Sequence, residues 1–145
     1  MALKQGIFKP TNRSKYKGNN LDRISYRSGW ELKLMVHFDK NPNILEWSSE
    51  SIAIPYFSPV DNKWHRYFPD FWVKMKKRDG KIETFIYEVK PYNQTIMPVK
   101  KKQKTKTYIQ EVYTWGVNSA KWQAAMEYCD KIGCQFEILT EKDLY

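Results

Sequence analysis

The stretch FPDFWVKMKKRDGKIETFIYEVK, residues 68–90, holds two β-like runs around a tight turn. Residues 70–76 and 82–90 are rich in aromatic and β-branched side chains, and Arg78-Asp79-Gly80 between them is turn chemistry. Gly80 suits the left-handed position of a three-residue hairpin loop with a bulge. With that loop, Lys77 faces Lys81 and, further along the ladder, Asp70 faces Glu88. Strand side chains alternate with period two, so Asp70, Glu88 and Lys90 fall on one face. Directly opposed Cβ atoms lie about 5 Å apart. Two carboxylates that close repel each other, and their desolvation beside apolar strands is costly unless compensated. Either one is protonated or a cation sits between them. A hard divalent cation with oxygen ligands, such as Mg²⁺, fits the pair. The plainer alternative is a salt-bridge cluster at the rim of a sheet.

Upstream, residues 28–40 (SGWELKLMVHFDK) predict a helix with Leu34, Met35 and Phe38 on one stripe, ended by Asn41-Pro42-Asn43. Glu31 shares that stripe and is a fourth candidate, a carboxylate able to point toward the sheet. Ser28 and Glu31 also form a capping-box pattern, which would occupy Glu31 with backbone N–H groups alone. Residues 51–57 and 63–68 predict a second hairpin around SPVDN. Residues 91–106 read as a loop, 107–117 are ambiguous, and 118–133 predict a helix that Asn118 or Ser119 caps and Gly133 stops. Trp122, Ala125, Met126 and Cys129 form its core face. CQFEIL (134–139) is a last strand, and TEKDL a short turn.

Residues 1–22 read as an irregular basic arm with Lys4, Lys9, Arg13, Lys15 and Lys17, and residues 23–145 as one domain. The 145 residues are enough to bury a core, and the 41% hydrophobic and 16% aromatic content excludes a disordered chain. The net charge of +9 and pI near 9.4 favour a polyanionic partner, nucleic acid first. No apolar run approaches a membrane span, no basic amphipathic helix suggests a membrane surface, and the N-terminus lacks the apolar core of a signal peptide. Cys129 and Cys134 have no second pair to make a zinc site and read as reduced thiols.

Glu31, Pro69-Asp70 and Glu88-Val89-Lys90 together resemble the PD-(D/E)XK nuclease superfamily. The longer pattern YRSGWELKLM…EWSSE…IPY…RYFPDFWVK…YEVKP…AKWQAAMEYC…FEILTE is similar to the TnsA-like endonucleases, and within them to the head-completion nucleases of contractile-tailed phages. It runs from about residue 14 to 143. The resemblance implies an α/β fold, the restriction-endonuclease-like core, with a mixed central sheet flanked by helices and the active site at the sheet edge. It also implies Mg²⁺-dependent hydrolysis of DNA phosphodiester bonds, with Mn²⁺ as a substitute. Asp70 and Glu88 would bind the metal, the Val89 carbonyl would add a ligand, and Glu31 would bind directly or through water. Lys90 would orient the attacking water and stabilise phosphorane charge. Gln123 and Tyr128 are one residue too far apart for the glutamine–tyrosine motif of related nucleases. The resemblance implies action in the host cytoplasm and at the phage head, with head or portal components as partners and a homo-oligomer as one form. The competing reading is a structural head protein that binds DNA or the portal without cutting.

VKKKQKTK (99–106) carries Lys100, Lys101, Lys102, Lys104 and Lys106 and no acid. It is either a solvated loop or a set of phosphate contacts, which position DNA without reading sequence. Arg27, one helical turn before Glu31, reaches a carboxylate or a phosphate. The aromatic clusters around residues 66–72 and 107–115 are core or stacking platforms for unpaired bases, as at branched or single-strand junctions.

Overall fold

The structure, a computed structural model, describes residues 5–145, so Lys4 lies outside the described residues. Its centre is a mixed four-stranded sheet in the order β3-β6-β7-β8, built from β3 (Ile44–Ser49), β6 (Phe71–Lys76), β7 (Ile82–Val89) and β8 (Gln135–Leu139). The first three are antiparallel, and β8 joins β7 in parallel. The β6–β7 register is the one the sequence predicts: Phe71 pairs with Tyr87 and Lys76 with Ile82. Lys77 N donates to Lys81 O at 2.8 Å, and Gly80 takes φ +83 in the loop.

Two layers cover this sheet. Helix α1 (Gly29–Lys40) packs Leu34, Met35 and Phe38 on Trp47, Phe71, Val73, Phe85 and Tyr87. The Phe38 ring meets Phe71 edge-on at 5.1 Å and stacks with Tyr87 at 6.3 Å. Removing that ring would cost about 3–5 kcal/mol. On the other face Ile86, Trp72 and Phe136 meet helix α2 (Lys106–Ile132) and the hairpin β4 (Ile54–Ser58) and β5 (Lys63–Tyr67). Odd positions of β6 and β7 therefore serve α1 and even positions serve α2, as the pleat requires.

Several elements differ from the sequence expectation. Strand β3 was not expected: a bulge between Ile44 and Glu46 breaks the alternation that would have marked it. Helix α2 starts at Lys106, not at residue 118. Thr105 caps it, accepting from Tyr108 N at 3.1 Å, and Asn118 is an interior position rather than a cap. β-Branched and aromatic residues and Gly116 mask this first half, which packing holds helical. Gly133, at φ +79, stops the helix as expected. Trp122, Ala125 and Cys129 are buried, but Met126 is 46% exposed and leaves the core face.

The segment that reads as irregular contains β1 (Gly6–Phe8), paired with β2 (Ile24–Tyr26), and a 3-10 turn at Arg13–Lys15. Phe8 and Tyr16 enter the core against Trp47. Buried Asp39 ties this segment to α1 by accepting from the backbone N–H groups of Thr11 and Asn12, both at 2.9 Å. TEKDL forms a short helix, α3 (Glu141–Leu144), with a Thr140–Asp143 capping box. Among the described residues no helix is long and apolar enough to cross a membrane.

Candidate active site

The hairpin register brings Asp70 to the mouth of β6, beside the C-terminal end of β7 that carries Glu88, Val89 and Lys90. The site thus lies at one end of the two inner strands of the sheet. Asp70 Oδ2 accepts from Val89 N at 2.7 Å, and Asp70 O accepts from Glu50 N at 3.0 Å. Its position is therefore fixed by the ends of two neighbouring strands.

Glu88 is 7% exposed, and its Oε1 is buried without a hydrogen-bond partner. Lys90 Nζ stands 3.8 Å from Oε2, the other oxygen. Burial first, then the Glu88 charge, pushes the Asp70 carboxyl far above the usual carboxylate range. Burial also raises Glu88, against the pull of Lys90. Burial thus holds both neighbouring carboxyls above the usual carboxylate range.

Glu31 approaches from the α1 layer and neighbours Asp70 rather than Glu88. Burial raises its carboxyl first, and the Asp70 charge raises it further. It also serves the helix start: Ser28 Oγ accepts from Glu31 N at 3.2 Å and donates to Glu31 Oε2 at 3.3 Å. The cap and the approach to Asp70 coexist in one side chain.

Arg27 is held by a carboxylate, its Nη2 standing 2.7 Å from Glu50 Oε1. Glu50 has φ +50, a left-handed conformation uncommon for its residue type, at the turn that also binds Asp70 O. Lys100, Lys101, Lys102 and Lys104 are exposed in the loop before α2, and Lys106 is exposed at its first turn. Gln123 is exposed and bonds Glu127 rather than the site.

Sequence reading missed three neighbours: Glu50, Tyr67 and Lys121. The Tyr67 hydroxyl is buried with no partner at hydrogen-bonding geometry, yet it lies close enough to Glu88 that burial and then the Glu88 charge suppress its ionisation. Lys121 of α2 adds positive charge near Glu88 and sits over the Tyr67 ring at 5.6 Å. No linear signal marks either, because both arrive from the α2 layer.

The donor set fits a hard divalent cation. Glu88 offers a bare buried oxygen beside a second carboxylate whose ionisation burial and the Glu88 charge oppose. Among the described residues no three Asp, Glu, His or Cys side chains stand together in ligating position. A hard divalent cation that keeps several waters takes one or two carboxylates from the protein, which is what Asp70 and Glu88 offer.

A mixed sheet between two helical layers, with a buried carboxylate pair and a lysine at the ends of its inner strands, has the architecture of a nuclease. The TnsA-like endonuclease N-terminal family model matches residues 41–141, a span that includes Asp70, Glu88 and Lys90. The chain is 43% identical over 143 residues to the head completion nuclease of Enterobacteria phage T4, covering 96% of this chain and 92% of that protein. The chain belongs to the TnsA-like endonuclease family and is a nuclease, hence a hydrolase.

Proposed function

We propose that the protein is a divalent-metal-dependent DNA endonuclease that acts in phage head completion. The observation that carries the reading is the carboxylate pair Asp70 and Glu88, with Asp70 fixed by Val89 N and Glu88 Oε1 buried and unpartnered. Asp70, Glu88 and the Val89 carbonyl would hold Mg²⁺, or Mn²⁺ in its place, with Glu31 acting through water from the α1 side. Those residues would hold a cation that would supply polarisation of a phosphoryl oxygen and a lowered pKa for bound water.

This chain's own groups do the rest. Lys90, 3.8 Å from Glu88, sets positive charge where the phosphorane develops negative charge. Asp70, locked by the Val89 N–H, cannot swing away from the site. With a cation held there, Asp70 and Glu88 would both be ionised, and Lys90 would keep the site near neutrality. Arg27 and Lys100, Lys101, Lys102, Lys104 and Lys106 supply cations for the DNA backbone, and the net charge of +9 supports that partner.

The identity to a protein named head completion nuclease supports action at the phage head, and we place that action on DNA in the host cytoplasm with head or portal components as partners. Branched DNA or single-strand junctions are the substrate we favour, and cutting both strands at one point would call on a second copy. The test is cleavage of supercoiled and branched DNA by the purified protein with Mg²⁺, with Mn²⁺ and with EDTA, beside Asp70→Ala. Metal-dependent cutting lost in the variant supports the reading. Equal cutting by Asp70→Ala overturns the site, and DNA binding with no cutting of any substrate overturns the free enzyme as the active form.

A further inference from the structure

An open groove of about 820 Å³ lies between residues 93–99 and the first half of α2. Its size is in the range of about 300–1,000 Å³ usual for ligand sites. One wall is the chain that leaves the active-site strand. Asn93 and Gln94 line it almost immediately after Lys90, followed by Ile96, Met97 and Val99. Met97 is 70% exposed and Val99 78%, unusual for apolar side chains with no covering element. The start of this wall is anchored: Tyr92 N donates to Glu141 Oε1 at 2.7 Å, and Lys142 Nζ sits 3.4 Å over the Tyr92 ring.

The other wall is α2. Gln110, Thr114 and Asn118 line the groove at four-residue spacing, so they form one polar row along one helix face. Trp115 adds an aromatic surface beside the row. Asn118 is only 6% exposed, a polar side chain set deep against the groove. Three residues beyond Asn118 on α2 stands Lys121, whose charge acts on Glu88. The α2 wall of the groove therefore ends within one helical turn of a residue that acts on Glu88.

Charge identifies the occupant. Lys106 lines the groove, and Lys100, Lys101, Lys102 and Lys104 lie on the chain joining its two walls. Lys101 folds back toward α2, its Nζ 6.0 Å above the Tyr108 ring. Glu111 is the acid among the lining residues. A lysine rim around an apolar and amide-lined trough matches a polyanion with flat apolar faces and hydrogen-bonding edges. Unpaired nucleotides have that chemistry, whereas duplex DNA hides its base faces in the stack.

We propose that this groove seats the unpaired bases of a single DNA strand leading to or from the scissile phosphate, so that the protein selects DNA with a single-stranded segment. The inference rests on the nuclease reading and adds to it where the discriminating contacts lie.

The experiment uses the full chain in EDTA, where binding is read without cutting. A short fluorescent oligothymidylate and a blunt duplex of equal length are titrated by anisotropy, and a bromodeoxyuridine-containing oligonucleotide is photocrosslinked and mapped. The expected result is tighter binding of the single strand, with crosslinks in residues 92–99 or 106–118. Met97→Asp, at an exposed loop position that does not threaten folding, sets a negative charge in the trough and should weaken oligothymidylate binding roughly tenfold. Trp115→Ala should do likewise. Unchanged single-strand affinity in Met97→Asp, or crosslinks confined to the β4–β5 hairpin, overturns the proposal and leaves the groove to another occupant such as an acidic peptide. Because EDTA removes cleavage from the readout, this can fail while Asp70→Ala still abolishes cutting, and the converse.

Discussion

Asp70 Oδ2 and the backbone N–H of Val89 are 2.7 Å apart, so the residue just before β6 is tied to the residue that closes β7. The bond holds one carboxylate against its neighbour Glu88, although burial and like charge oppose that arrangement. A site assembled against its own electrostatics is expected where a cation is to be bound.

Removing either carboxylate should therefore abolish activity without unfolding the protein. Asp70→Asn and Glu88→Gln should each lower cleavage by about two to three orders of magnitude, the scale for loss of a key charge-stabilising group. In EDTA their melting temperatures should equal or exceed that of the wild type, because a buried repulsion is gone. A melting temperature several degrees lower in both variants would show that the pair is structural.

The pH dependence of the metal-free protein has a definite sign. Burial and Glu88 raise Asp70 from an unfolded value near 3.8 to about 8. The folded state thus binds a proton more tightly than the unfolded chain, and this contribution to stability is complete below the unfolded pKa. It is lost as pH rises between those two values. Thermal melts in EDTA from pH 4 to pH 8 should show that decline, and Asp70→Asn should flatten it. The same melts with Mg²⁺ should recover stability at the upper end, since a cation replaces the proton.

Glu31 carries two separable tasks. Ser28→Ala removes the cap oxygen that accepts from Glu31 N and should cost about 1 kcal/mol of stability with activity largely kept. Glu31→Gln keeps hydrogen-bonding capacity for the helix start but loses the charge beside Asp70. It should fold with near-normal stability and cleave poorly. Denaturant titrations alongside initial rates separate the two outcomes.

Tyr67 offers a different control. Its hydroxyl is buried and unpartnered next to Glu88. Deleting an unsatisfied buried hydroxyl removes a desolvation penalty, so Tyr67→Phe should be neutral or stabilising by up to about 1–3 kcal/mol. A clear destabilisation in urea would show that the hydroxyl bonds Glu88 in solution.

The lysine run makes a prediction about salt. If Lys100, Lys101 and Lys102 touch phosphates, replacing all three with Gln should reduce the slope of log affinity against log salt by about one per lost contact. Binding should weaken to a similar degree for DNA of every sequence. An unchanged slope would return the run to a solvated loop.

The hairpin that defines the site was legible in the chain itself. Its register follows from a three-residue loop closed by Gly80 and from side-chain alternation, both local properties, so the pairing of Asp70 with Glu88 needed no tertiary information. The α1 stripe of Leu34, Met35 and Phe38 was equally local. Strand β3 and the first half of α2 were not, because a bulge hides the period of one and poor helix formers fill the other. Phe8 and Tyr16 gave no sign of entering the core, since a few apolar residues in a polar stretch carry no periodicity. Tertiary packing alone decided which layer each charge comes from. It set Glu31 beside Asp70, drew Arg27 onto Glu50, and brought Tyr67 and Lys121 to Glu88 across long sequence separations. Turn chemistry and strand period act over a few residues and can be read in order. The approach of two layers around the end of a sheet depends on the whole core and exists only once it has packed.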